Sequence, residues 1–363
     1  MYKNLAARAI AAACCLPLSA SFAQGSVAPL RVAFVHVAPA TEAGWVRQHE
    51  DGRRALEAAL GPQVRTTSIE NVPEGPDAER VIRDLAAQGH TLIFTPSFGY
   101  MEPTLKVARD FPDVKFESIT GLKTAPNVAT ANARYYEGRY LAGIAAGRLS
   151  RSGSAGYVAG LPIPEVLQGI NAFTLGMRSV NPQAQVKVVF LGEWFNPPRE
   201  RDAAMSLMDQ GADVLAFHTA STAVMTAAQE RGRLAVAYHS DMRRFAPDAQ
   251  VAAVTHHWGD YYTQRAREVL AGQWKPQQVW GGVKEGMVRV GAFGPKVPQA
   301  VRDEVQARQA DIAAGRLHPF AAGRQAIRDN AGRERVPAGK TLQDDAIIGM
   351  DWLVEGVVGK PRG

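Results

Sequence analysis

Three tryptophans and four histidines of this chain fall just past apolar, β-rich runs: Trp45, Trp194 and Trp258, with His36, His218, His239 and His256. In an alternating β/α chain, the segments beyond the carboxyl ends of the strands line the ligand crevice. Indole faces placed there stack on flat rings, each pairing contributing on the order of 1 kcal/mol beyond area burial. Neutral imidazoles both donate and accept along a ring's edge. The chemistry on offer is recognition of a flat, π-rich small molecule.

Each candidate also has a plainer role. Trp45 follows Gly44 at the start of a helix, where an amphipathic helix equally places a core tryptophan. Trp194 and Phe195 precede Asn196-Pro197-Pro198, a rigid turn that opens the next helix and fixes an aromatic pair at a strand tip. Edge hydrogen bonds would come from His218-Thr219, from His239-Ser240-Asp241, and from Ser97 with Tyr100 and Glu102. Read alone, each of these polar residues is a capping or turn residue.

Catalytic constellations are missing: no Gly-x-Ser-x-Gly elbow, no phosphate-loop lysine signature, no His-Glu-x-x-His, and no Gly-x-Gly-x-x-Gly after the first strand. His256 and His257 are adjacent on a strand and point to opposite faces, so they do not share a metal. The expectation is a binder without cofactor or metal.

The positioning elements are legible in the hydrophobic pattern. β-rich runs at 30–37, 64–72, 91–97, 114–120 and 128–133 alternate with helical patterns at 43–60, 77–88 and 136–149, and the alternation resumes at 155–160, 186–192, 214–219 and 234–240. That alternation makes parallel sheets. Two sets of strands divide near residue 134, and further strands at 251–257 and 287–293 send the chain between the sets more than once, each crossing a hinge. The expected organisation is an N-terminal lobe of 30–134 plus 255–290, a C-terminal lobe of 135–254 plus 291–320, and an extension, 321–363, that opens as a Gly- and Arg-rich loop and packs on a lobe.

The first 23 residues carry the three parts of a secretory signal: basic Lys3 and Arg8, an apolar run from Ala9 to Ala20, and Ser21-Phe22-Ala23 before Gln24. Export to the periplasm is expected. The run is about half the roughly 20 residues a membrane-spanning helix needs. The two cysteines, Cys14 and Cys15, lie inside this segment, and lipid anchoring through Cys14 lacks the preceding large aliphatic residue, where Ala11, Ala12 and Ala13 stand. Loss of Lys3 and Arg8 takes the net charge from +6 to +4, dispersed without basic runs, which argues against nucleic-acid binding.

Four segments in order carry a family resemblance: Tyr136-Glu137-Gly138-Arg139-Tyr140-Leu141-Ala142-Gly143, the turn from Gly192 to Pro197, Gly211-Ala212-Asp213-Val214, and the ending from Met350 to Gly359. The chain resembles the basic membrane protein family of ABC-transporter substrate-binding proteins, which includes bacterial purine nucleoside receptors. The resemblance implies a type I periplasmic-binding-protein fold, two doubly wound parallel-sheet lobes joined by hinge strands, that closes on a ligand and hands it to an inner-membrane ABC permease without catalysis. A monomer is the usual state for such a protein.

In nucleoside-binding members one aromatic from each lobe stacks on the purine, and the matching positions here are Trp45 and Trp194. Three departures follow from the same alignment. His36 stands where the family has an Asp soon after the first strand, His239 where an Asp holds the ribose, and Trp258 where a Lys reaches the sugar. An imidazole and an indole in place of charged groups suited to hydroxyls imply a free nucleobase. Adenine is favoured if an acceptor such as Asp241 meets its exocyclic amine, with Trp258 filling the sugar's space and His218 and His239 reading the ring's edge. A purine nucleoside or another flat heterocycle is the alternative ligand. A nucleoside hydrolase is the enzyme-class alternative and would require a carboxylate or metal cluster at the ribose.

Overall fold

The computed structural model describes residues 28–360. The expected signal segment, with Cys14 and Cys15, lies outside the described residues. The chain runs β1 (Leu30–Val35), α1 (Trp45–Leu60), β2 (Val64–Ile69), α2 (Pro76–Ala87), β3 (Leu92–Pro96), α3 (Met101–Asp110), β4 (Lys115–Ile119) and β5 (Val128–Ala133). It continues through α4 (Tyr135–Leu149), β6 (Ser154–Ala159), α5 (Pro164–Val180), β7 (Gln185–Phe190), α6 (Pro197–Asp209), β8 (Val214–His218), α7 (Ala223–Glu230), β9 (Leu234–His239) and β10 (Gln250–His256). Then come α8 (Gly259–Leu270), β11 (Gln278–Gly281), β12 (Val288–Gly291), α9 (Gln299–Ala313), β13 (Ile327–Arg328), β14 (Glu334–Val336), α10 (Asp344–Ile348) and β15 (Val357–Val358).

Two sheets form. The first has strand order β11-β5-β4-β3-β1-β2 and the second β12-β10-β9-β8-β6-β7-β15, with every pairing in them parallel except β10 with β12. The fold is α/β with two doubly wound lobes. Strands buried on both faces are the reason β1, β3, β6 and β8 read as near-continuous apolar runs rather than alternating ones.

The chain passes between the lobes three times: from β5 to α4, from β10 to α8, and from β11 to β12. At the first crossing the Arg134 N–H donates to Gly281 O at 2.7 Å, tying two crossings together. The C-terminal segment returns to the second lobe, where β15 extends the sheet beside β7 and Asn171 on α5 donates to Trp352 O at 2.8 Å.

Close approach of α4 and α5 rests on two glycines. A Cβ on Gly143 would sit 2.1 Å from Phe173 O, and one on Gly176 would sit 2.0 Å from Tyr140 O, so neither helix tolerates a side chain there. This pair forms the wall from which Arg139, on α4, and Glu165, on α5, face the inside of the second lobe.

Candidate functional site

In each sheet one strand has its first sequence neighbour on one side and the next on the other: β1 lies between β2 and β3, and β6 between β7 and β8. These are the switch points at which open α/β sheets leave a crevice. The two crevices face each other here. The N-terminal lobe contributes Val37 beyond β1, Trp45, Ser97 and Phe98 beyond β3, and Thr120 beyond β4. From the other lobe come Ile163 and Glu165 beyond β6, Trp194 beyond β7, His218 to Ala220 at the end of β8, and His239 at the end of β9. They line one cleft between the lobes.

Both indole N–H groups are used by the protein, leaving the ring faces for contact. Trp45 Nε1 donates to Pro96 O at 2.9 Å, and its ring packs edge-on to His49 and His239 with centroids 4.3 and 5.4 Å away. Trp194 Nε1 donates across the cleft to Glu74 Oε1 at 3.2 Å. Gly160 makes room for it, since a Cβ there would meet the Trp194 ring at 2.6 Å. The lobes also touch where Gly44 N donates to Ser240 Oγ at 3.0 Å and where Arg244 pairs with Glu42. This is a closed arrangement.

Two non-glycine residues lining the cleft have left-handed backbone, Thr120 at φ 66° and His239 at φ 69°. Such conformations cost on the order of 1–3 kcal/mol each and are held where the surroundings over-determine them, characteristically at ligand clamps.

The cleft's polar floor is buried and only partly satisfied. Glu165 Oε2 and His218 Nδ1 have no hydrogen-bond partner, nor has Nε2 of His256, which lies outside the cleft lining against His239. Behind them Arg139 is fully buried, donating through Nη2 to Phe217 O at 2.5 Å, with its cation 3.2 Å from the Tyr238 ring centroid and Nε and Nη1 unpartnered. Burial, reinforced by the Arg139 charge, holds the His218 imidazole well below its usual range. Burial does the same for His239 and His256, with neighbouring imidazoles adding to the effect. At neutral pH the rings are uncharged. Burial pushes the Glu165 carboxyl up to about 7, against the pull of Asn132 and Arg139. The imidazoles therefore offer neutral donors and acceptors to a ligand, beside a carboxyl poised between its neutral and ionised forms near neutral pH.

Of the residues singled out in the sequence, the structure brings Trp45, Trp194, His218 and His239 to the cleft, with Ser97 and Thr219. The others sit elsewhere: His256 lies outside the lining with its Nδ1 3.3 Å from His239 Nδ1, and Glu102 is at the surface, paired with Lys123 at 2.6 Å. His36 is buried against Glu50, Nε2 to Oε1 2.9 Å, because β1 ends before it and its ring turns under α1. Tyr100 is buried and donates to Val72 O at 2.6 Å. Trp258 starts α8 and packs between that helix and α1, its ring stacked on Tyr262 with centroids 5.8 Å apart. Asp241 turns out to solvent and pairs with Arg243 two residues on, at 2.6 Å. Phe195 lines a separate surface hollow with Thr41, Pro197 and Phe245. Among the described residues no cluster of three or more His, Cys, Asp or Glu stands ready for a metal.

Glu165 was not legible as a site residue. Pro164-Glu165 reads as an ordinary acidic first turn of a helix. The available signal was its position directly after β6, the switch strand of the second lobe.

Fold, hinge crossings and an aromatic cleft between lobes define a solute-binding protein of the type I periplasmic class. A family model described as ABC transporter substrate-binding protein, PnrA-like, matches residues 30–317, and the chain belongs to that family. It is 48% identical over 328 residues to a purine-binding protein of Brucella abortus, covering 90% of this chain and 93% of that one. It is 36% identical over 283 residues to a putative ABC transporter glucose-binding protein of Haloferax volcanii, covering 78% and 72%. In three dimensions it resembles an ABC transporter solute-binding protein of Aeropyrum pernix, with TM-score 0.69 at 18% identity over 88% of this chain and 95% of that one. As a member of such a family the chain serves an ABC system, with a small-molecule ligand and a permease partner, and its relatives are binders rather than enzymes. No helix among the described residues is long and apolar enough to cross a membrane.

Proposed function

We propose that this protein is the periplasmic receptor of an ABC importer for a purine base, adenine favoured, held between Trp45 and Trp194 as the lobes close. The observation that carries the reading is the pairing of two indoles, one from each lobe, over a floor of buried, uncharged imidazoles and an unpartnered carboxyl oxygen. Stacking supplies affinity, and the floor supplies orientation. The purine-binding name of the Brucella relative, at 48% identity, supports the same ligand class. A neutral His239 where nucleoside binders place an acid supports a base over a nucleoside. Secretion through the segment ending at Ala23 and action as a monomer complete the proposal.

A nucleoside is the second reading, favoured by one feature. A larger cavity adjoins the cleft, shares Phe98, Thr120 and Glu165 with it, and presents Asn132, Gln168 and Gln278, side chains suited to sugar hydroxyls. Thermal-shift measurements with adenine, guanine, hypoxanthine, adenosine and glucose separate the readings, because a ligand that binds only the folded state raises the melting temperature by mass action. The expected result is a larger shift with adenine than with adenosine and none with glucose. A larger shift with adenosine would move the assignment to nucleosides, and incubation that converts adenosine to adenine would make the protein an enzyme.

A further inference from the structure

Among the described residues, Glu165 is the one carboxyl that lines the cleft. It is 8% exposed, and its Oε2 has no partner. Its Oε1 lies 3.6 Å from His218 Nε2, beyond good hydrogen-bond distance. A buried acid left this way costs free energy unless something else satisfies it. The groups facing it are His218 from β8, Arg139 and Tyr135 from α4, Tyr157 from β6, Tyr238 from β9 and Asn132 from β5. The three phenol hydroxyls are themselves unpartnered, and Arg139 makes no ion pair with the carboxyl.

Resting on the purine reading, we propose that Glu165 determines the ligand's specificity by reading its hydrogen-bonding edge as a neutral carboxyl. The acid O–H donates to a ring nitrogen while its C=O accepts from the adjacent exocyclic amine. That donor–acceptor pair matches the amidine edge of adenine, which presents one acceptor beside one donor. An ionised carboxylate only accepts, so it would meet the adenine ring nitrogen lone pair to lone pair. The proposal gives the exocyclic amine its acceptor, a role for which Asp241 lies too far out, paired with Arg243.

The test is calorimetric titration of wild type, Glu165→Gln and Glu165→Leu with adenine and with unsubstituted purine, which lacks the amine. Wild type should prefer adenine by roughly tenfold, the size of one well-made buried hydrogen bond. Glu165→Gln should keep that preference, since an amide offers the same donor beside an acceptor, and Glu165→Leu should lose it. Between about pH 6 and about pH 8.5, either side of the value of about 7 to which burial pushes this carboxyl, wild-type affinity for adenine should fall by at least roughly tenfold while that of Glu165→Gln stays level. Undiminished preference in Glu165→Leu, a wild-type pH profile in Glu165→Gln, or affinity that rises with pH would each overturn the role of Glu165 while leaving the purine site standing. A wild type that binds neither compound would overturn the purine reading and this proposal with it.

Discussion

Two buried acids of the molecule, Glu117 in the first lobe and Glu165 in the second, are treated in opposite ways. Glu117 on β4 accepts from Arg265 Nε, Tyr261 Oη and Trp274 Nε1, each at 2.6 Å, and so ties β4 to α8 and the segment behind it. Glu50 on α1 is similar, taking His36 at 2.9 Å, Ser68 at 2.8 Å and Arg53 at 2.9 Å. Glu165, also buried, is left with Oε2 free and with His218 Nε2 3.6 Å from its other oxygen. Satisfied acids hold the scaffold, whereas the unsatisfied one faces the space between the indoles. The difference separates scaffold groups from cleft-facing ones better than residue type does, because His36 follows β1, His218 ends β8, and only His218 reaches the cleft.

Glu117→Leu should break this comparison most forcefully. It removes the buried carboxylate that Arg265, 1% exposed, shares with Tyr261 and Trp274, leaving Arg265 only Glu268 as an ionic partner, and should lower the unfolding free energy by about 3 kcal/mol in denaturant titration. Glu165→Leu should leave stability level or raise it. Equal losses in the two variants would dissolve the distinction.

Glu50→Gln comes next, with a loss of about 2 kcal/mol for charge-assisted bonds exchanged for neutral ones. The pH dependence carries the sign. Although burial pushes Glu50 up, hydrogen bonds from His36, Arg53 and Ser68 hold it well below its ordinary value of 4.5. A depressed carboxyl stabilises the fold above that value and loses the contribution as pH falls below it. Glu165 runs the other way: raised from 4.5 to about 7, it makes the ligand-free fold progressively less stable as pH climbs between those values. Melting curves across pH should show the acid limb flattened in Glu50→Gln and the limb between 4.5 and about 7 flattened in Glu165→Gln.

A smaller effect should fall on closure. Gly44 has φ 100°, and a Cβ there would meet Ala220 O of the opposite lobe at 2.5 Å. Gly44→Ala should weaken ligand binding by roughly tenfold or more through obstructed closure and backbone strain. Small-angle scattering of the ligand-saturated variant should report a more open particle than wild type.

The sheets were readable because strands buried on both faces leave long apolar runs, and most strand centres in the sequence pattern coincide with those in the structure. The missed strands, β11, β13, β14 and β15, have two to four residues each, too few to show periodicity; β13 and β14 pair inside the segment read as a loop, and the other two are placed by the hinge and by the returning C-terminal segment. Trp45, Trp194, His218 and His239 were legible as cleft residues because strand-to-helix connections of the two lobes converge. Trp258 was not separable from them by that rule, since whether an indole at a helix start turns toward a cleft or a neighbouring helix depends on Gly52 of α1, whose missing side chain opens a place for it. Asp241 fails for a related reason: an arginine two residues on captures it at the surface.

The central claim is that one indole from each lobe holds a purine base. Calorimetric titration of adenine into wild type, Trp45→Ala and Trp194→Ala, each freed of bound ligand by unfolding and refolding, tests it most directly. The account predicts binding by wild type and a loss of at least about 1 kcal/mol in each variant. Unchanged affinity in both variants would contradict it.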